Sequence, residues 1–131
     1  MRTPLTLLAL ALVALGLVAC GGSKDKGSGG PTVTVPKGQP IKVTGKEYGF
    51  TPATIVVEGG GGPTKVEFTN AGSLAHNLRI TKDGQEIGGS PTFQGGETKS
   101  ATVNLQPGSY DMLCSVGDHA ALGMKGKLTV K

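Results

Sequence analysis

Aromatic side chains are nearly missing from this chain, with three Phe, two Tyr and no Trp in 131 residues. Combined with an abundance of glycine, 23 of 131 residues, the scarcity argues against a helical bundle and against a compact helix-rich enzyme. Nowhere does an apolar stripe of 3.6-residue period run between capping residues, which removes the other support for a helical fold. Runs of Lys or Arg interleaved with aromatics are also lacking. The net charge of +4 is modest and scattered, so neither a nucleic-acid surface nor a nucleic-acid partner has support. No internal repeat is visible. Cysteine and histidine are rare too, two of each. Any chemistry built on them is therefore confined to a few positions.

What is present begins with an address. Met1-Arg2-Thr3 is short and positively charged, and Leu5 to Val18 is an almost unbroken apolar run. The run falls short of the roughly 20 residues that a spanning helix needs and ends abruptly. It reads as the apolar region of an export signal. The run closes on Leu17-Val18-Ala19-Cys20, which resembles the bacterial lipobox, where the cysteine becomes the lipidated first residue of the mature protein. The alternative is a plain cleavable signal with an incidental Cys20. Residues 1–19 are expected to be the signal, and residues 20–30 the lipidated Cys20 and a flexible Gly/Ser-rich tether. Residues 31–131 then form one domain, exported and facing the periplasm or the cell exterior. With Cys20 lipidated, Cys114 stands alone and no disulfide can form. An unpaired thiol in an oxidising compartment is a liability unless it is bound or buried.

The 23 glycines suit short strands joined by tight turns. From Pro31 onward apolar and polar residues alternate, as in Thr32–Val35, Ile41–Thr44, Val66 and Phe68, Leu78 and Ile80, and Ala101, Val103 and Leu105. Tyr110, Met112 and Cys114 share a face, as do Leu128 and Val130, and the stretch from Tyr48 to Val57 is broken at Pro52. Period-two runs bounded by Gly, Pro and Asn predict an all-β, antiparallel fold. A two-sheet Greek-key sandwich of about eight strands is the expected architecture.

Architecture alone leaves function open. The informative segment is Cys114-Ser-Val-Gly-Asp-His119-Ala-Ala-Leu-Gly-Met124, which leads straight into Lys125–Val130. Cys114 ends one strand, Met124 begins the next and His119 lies between them. His76 precedes the strand Asn77–Ile80 and can reach the same end of the domain. Taken singly, each residue has a plain reading: a surface histidine, a buried thiol, a methionine filling a gap. Taken together, thiolate, two imidazoles and a thioether are the donors of a blue-copper electron-transfer site. Zinc would more often add Cys, His or carboxylate and omit the thioether. One copper ion, alternating between Cu(I) and Cu(II), is the cofactor this set implies. Met112 shares parity with Cys114 and is expected in the core, while Asp118 is expected to be a solvated loop residue. Ala120, Ala121, Leu122 and Gly123 are small or apolar and adjoin His119. They are expected to form the face through which electrons pass, as weak redox encounters use small interfaces, below about 1,200 Å².

The same segments resemble the cupredoxins, the family of plastocyanin, azurin and auracyanin, over most of residues 40–131. Tyr110-Asp-Met-Leu-Cys114 looks like the strand entering the copper cysteine, and Gly123-Met124-Lys-Gly126 like the exit from its loop. Ala71-Gly-Ser-Leu-Ala-His76-Asn77 resembles the first histidine segment, and Glu47-Tyr-Gly-Phe50-Thr-Pro52 the early strands. The spacing of the Cys, His and Met resembles auracyanins best. The resemblance implies that Asn77 ties the two ligand segments together, with Ser115 as its partner. It implies an electron carrier rather than an enzyme, monomeric, serving a cytochrome or a membrane redox complex. Three rivals remain open at this point: a copper carrier without redox turnover, a Cys–His nucleophilic enzyme and a purely structural domain. A dinuclear copper centre is excluded, since it needs two cysteines in the loop.

Overall fold

The computed structural model describes residues 30–131. The expected export signal, Cys20 and the tether up to residue 29 lie outside the described residues. Ten strands make up the domain: β1 (Thr32–Val35), β2 (Ile41–Lys46), β3 (Gly49–Thr51), β4 (Thr54–Val57), β5 (Gly62–Asn70), β6 (Arg79–Lys82), β7 (Gln85–Gly89), β8 (Thr98–Leu105), β9 (Gly108–Leu113) and β10 (Lys125–Val130). They form a six-stranded sheet ordered β1-β4-β10-β9-β6-β7 and a four-stranded sheet ordered β3-β2-β5-β8. The described residues contain no helix. The fold is an all-β sandwich, as the alternation of apolar residues implies.

Two details depart from the sequence reading. The strand count exceeds eight because Pro52, which has no N–H for a ladder, separates β3 from β4. It also rises because β7, exposed over Gln85–Ile87 and ending in two glycines, carries no apolar alternation to announce it. The pairing is also not wholly antiparallel, since β1–β4, β4–β10 and β2–β5 run parallel. The chain changes sheet at most of its connections. Sheet neighbours are therefore often distant in sequence, and two crossings in one sense return a strand in its original direction.

The core follows the period of two. Along β2 the burial alternates residue by residue, with Ile41 and Val43 inward. Val66, Phe68, Val103 and Leu105 complete the inner face of the smaller sheet, and Ile55, Ile80, Met112, Leu128 and Val130 face them from the larger. Each such side chain contributes about 1.5–3 kcal/mol on burial. Phe68 is the centrepiece and meets Phe50 and Phe93 edge-on at 5.8 and 5.7 Å. Tyr110 is anchored too: its hydroxyl donates to the Gln106 carbonyl at 2.7 Å and accepts the Gln106 N–H at 2.8 Å.

Strand registers gather several strand ends at one pole. Arg79 and Lys125 both lie opposite Leu113, Gly45 lies opposite Asn70, and Thr69 opposite Thr98. The loops that leave these ends carry His76, Cys114, His119 and Met124.

Candidate metal centre

Cys114 is the first residue beyond β9 and Met124 the last before β10. The Cys114 N–H donates to the Met124 carbonyl at 3.0 Å, so the intervening loop is pinched shut at its base. Within it the chain turns tightly. His119 N–H bonds the Val116 carbonyl at 3.1 Å, Leu122 N–H the Asp118 carbonyl at 3.0 Å, and Met124 N–H the His119 carbonyl at 3.0 Å. Three residues expected to converge are thereby held on one short, internally bonded loop.

His76 comes from elsewhere. It exchanges two backbone hydrogen bonds with Phe93, each 3.1 Å. The strand after it begins at Arg79 rather than Asn77, because Ser90 takes both polar groups of Leu78. The Ser90 hydroxyl accepts the Leu78 N–H at 2.9 Å, and the Ser90 N–H donates to the Leu78 carbonyl at 2.8 Å. Asn77 donates to the Ser115 hydroxyl at 2.8 Å and to Thr92 at 2.9 Å, and it accepts the Ser115 N–H at 2.9 Å. The segment holding His76 is thus tied directly to the segment holding Cys114.

These ties bring the donor atoms together. His76 Nδ1 and His119 Nδ1 stand 3.1 Å apart, with Cys114 Sγ 4.0 Å from the first and 3.6 Å from the second. With bonds of about 2.0 Å to nitrogen and 2.3 Å to sulfur, as zinc makes, donors at 120° around one ion stand roughly 3.5 Å (N to N) and 3.7 Å (N to S) apart. The two sulfur–nitrogen spacings, 3.6 and 4.0 Å, bracket the second value and the 3.1 Å nitrogen–nitrogen spacing lies somewhat inside the first, so the trio fits a metal ion. His76 and Met124 are fully buried, Cys114 is 1% exposed and His119 9%. Burial of a soft thiolate, two imidazoles and a thioether suits copper better than a hard cation. Met112 is buried in the core, and Asp118 is exposed.

Four contributors lie outside the set read from the sequence. Glu47, in the turn between β2 and β3, sets its Oε1 3.0 Å from His76 Nε2. The same oxygen accepts the backbone N–H groups of Ser73 at 2.7 Å and Leu74 at 2.8 Å. The Leu74 N–H, followed by His76, holds the Glu47 carboxyl far below its ordinary range, at about 2. The Tyr48 ring packs against His119 at 5.0 Å between centroids, tilted by 58°. Asn70 is fully buried. It donates to the carbonyls of Leu74 and Phe93 at 2.9 Å and accepts the Gly72 N–H at 3.0 Å, shaping the loop into His76. Gly45 leaves room for Met124: a Cβ there would stand 2.8 Å from the Met124 methyl and 2.7 Å from a ring carbon of Phe68. Asn before Ala-Gly-Ser is a turn signal open to sequence reading. Glu47, Tyr48 and Gly45 carry no local signal, because their partners lie far along the chain.

The surface above His119 is apolar. Leu122 is 52% exposed, Leu74 43% and Tyr48 38%. Ala121 is exposed, and Ala120 and Gly123 are half-buried. A shallow groove lined by Val33, Tyr48, Phe50 and Pro52 adjoins Gly123 and extends this rim.

Comparison with known proteins agrees with the geometry. A family model described as copper binding proteins, plastocyanin/azurin family, matches residues 39–131. No curated protein sequence matches. Among solved structures, auracyanin from the photosynthetic bacterium Roseiflexus castenholzii is similar at 22% identity and TM-score 0.63, covering 79% of this chain and 99% of its own. Auracyanin A, a blue copper protein of Chloroflexus aurantiacus, is similar at 22% identity and TM-score 0.60, over 75% of this chain and 99% of its own. An azurin of Methylomonas sp. strain J is 19% identical with TM-score 0.61, over 70% and 97%. At these identities the likeness speaks for the fold.

Proposed function

Since the chain belongs to the plastocyanin/azurin family of copper-binding proteins, we propose that it is a one-electron carrier. In this reading it is anchored outside the cytoplasm by a lipid on Cys20 and works as a monomer with redox proteins at the membrane. The observation that carries the proposal is the convergence of His76, Cys114 and His119 beneath an exposed apolar rim. Bound copper would supply the one-electron couple between Cu(II) and Cu(I). His76 and His119 would each present Nδ1, Cys114 its thiolate, and Met124 its thioether from the strand start.

The protein's part is to hold these groups still. Three of the four donors come from a loop closed by its own hydrogen bonds, and the fourth is bonded to Phe93 and, through Asn77, to the Cys114 segment. A scaffold that cannot rearrange keeps the geometry similar in both oxidation states, which lowers the barrier to transfer. The same burial argues against a carrier that hands its ion on, since three of the donors are at most 1% exposed. His119 is the one donor that reaches the rim, and its ring edge is the electron port. Ala120, Ala121, Leu122 and Gly123, with Tyr48 and Leu74, would form the contact surface for a cytochrome or membrane complex.

Electron self-exchange between two copies tests this port without a known partner. Leu122→Glu should leave the visible spectrum unchanged and slow self-exchange by about tenfold or more, because the exposed apolar contact would gain a charge to desolvate. An unchanged exchange rate would remove Leu122 from the port.

A further inference from the structure

Next to Tyr48, the turn between β2 and β3 places a carboxylate, Glu47, against a buried metal ligand. His76 is fully buried, and its Nδ1 is directed at His119 Nδ1 and Cys114 Sγ. Its other nitrogen, Nε2, meets Glu47 Oε1 at 3.0 Å. An ionised carboxylate can only accept, so Nε2 carries the proton and Nδ1 keeps a free lone pair toward the centre. Glu47 itself is fixed by the N–H groups of Ser73 and Leu74. Gly72 makes room for it, since a Cβ at that position would collide with the carboxylate. The loop that delivers His76 is therefore moulded around this one oxygen.

We propose that Glu47 is a positioning residue of the copper centre, orienting His76 with Nδ1 inward and holding a fixed negative charge beside the site that lowers its reduction potential. The inference rests on the blue-copper reading. Its physical basis is twofold. A carboxylate accepting from the far side of a ligating imidazole fixes the tautomer and makes the ring a stronger donor. An anion also favours the more positive of two oxidation states, and the effect is large where the ligand lies out of water.

The test compares wild type, Glu47→Gln and Glu47→Ala, each loaded with copper(II), with Glu58→Gln as a control for loss of an exposed charge at the end of β4. Gln keeps an oxygen that can accept the same bonds but removes the charge, so its potential should rise while the visible band stays. Ala removes the bonds as well and should raise the potential and weaken copper affinity about 10- to 100-fold. A second readout needs no metal. Nitrogen NMR of the apoprotein should find His76 protonated at Nε2 in wild type and Glu47→Gln, and mixed between tautomers in Glu47→Ala. A potential unchanged in Glu47→Gln, or shifted equally in Glu58→Gln, would overturn the charge role. An unchanged tautomer in Glu47→Ala would overturn the positioning role. Wild type that takes up copper without an intense visible band would instead overturn the blue-copper reading beneath both.

Discussion

At the scale of single residues, packing at the metal pole is as exacting as the donor chemistry. Gly45 is the clearest case, because its missing side chain is the space that the Met124 methyl and the Phe68 ring fill. Gly45→Ala should destabilise the fold by about 1–3 kcal/mol, the usual cost of overpacking a closed core. It should also displace Met124 and so change the visible spectrum. Denaturant unfolding of the apoprotein, alongside the spectrum of the copper form, checks both. The four donors were legible in the sequence because each is a rare residue type and three of them share one loop. Gly45 and Glu47 were not. A glycine among 23 looks like any other, and Glu47 lies 29 residues from His76, a separation that no local pattern bridges.

At the scale of elements, carboxylates stitch strands and turns together, and this fixes how acid acts. Glu86 pairs with Arg79 across the β6–β7 hairpin, Glu67 pairs with Lys65 at 2.7 Å and approaches Lys42 of β2, and Glu47 holds the loop into His76. The Arg79 hydrogen bond lowers the Glu86 pKa, the Lys65 hydrogen bond lowers that of Glu67, and backbone N–H donation lowers that of Glu47 to about 2. A carboxyl whose folded pKa lies below its unfolded value binds protons more readily when unfolded. Its stabilisation is complete above the unfolded pKa and drains away as pH falls through the folded one. Apoprotein stability should therefore hold steady down to near pH 4.5 and decline from there toward pH 2. Urea midpoints measured across that range would show it, and midpoints that rose on acidification would reverse the sign. Element types were readable wherever apolar residues alternate, as along β2, β8 and β9. They were unreadable at β7, whose residues pack no core face, and parallel pairing of β2 with β5 leaves no trace in either strand alone.

At the scale of the whole molecule, a small sandwich converts a scattered set of residues into one buried pole. The larger sheet delivers Cys114 and Met124 from the ends of β9 and β10, and the smaller sheet delivers Gly45, Glu47 and Asn70 from the ends of β2 and β5. Phe68 and Phe93 pack beneath, and Tyr48 and Leu122 are exposed. Fold class and ligand set could be inferred from the chain, because periodicity and donor type are local properties. The clamp around the ligands emerges only when the two sheets close. The direct test is the absorption spectrum of the copper(II)-loaded protein beside Cys114→Ser. An intense thiolate-to-copper band toward the red end of the visible range in wild type, abolished in Cys114→Ser, is the predicted result. Equal, weak absorption from both proteins with copper bound would show that Cys114 does not ligate the ion, and would contradict the account.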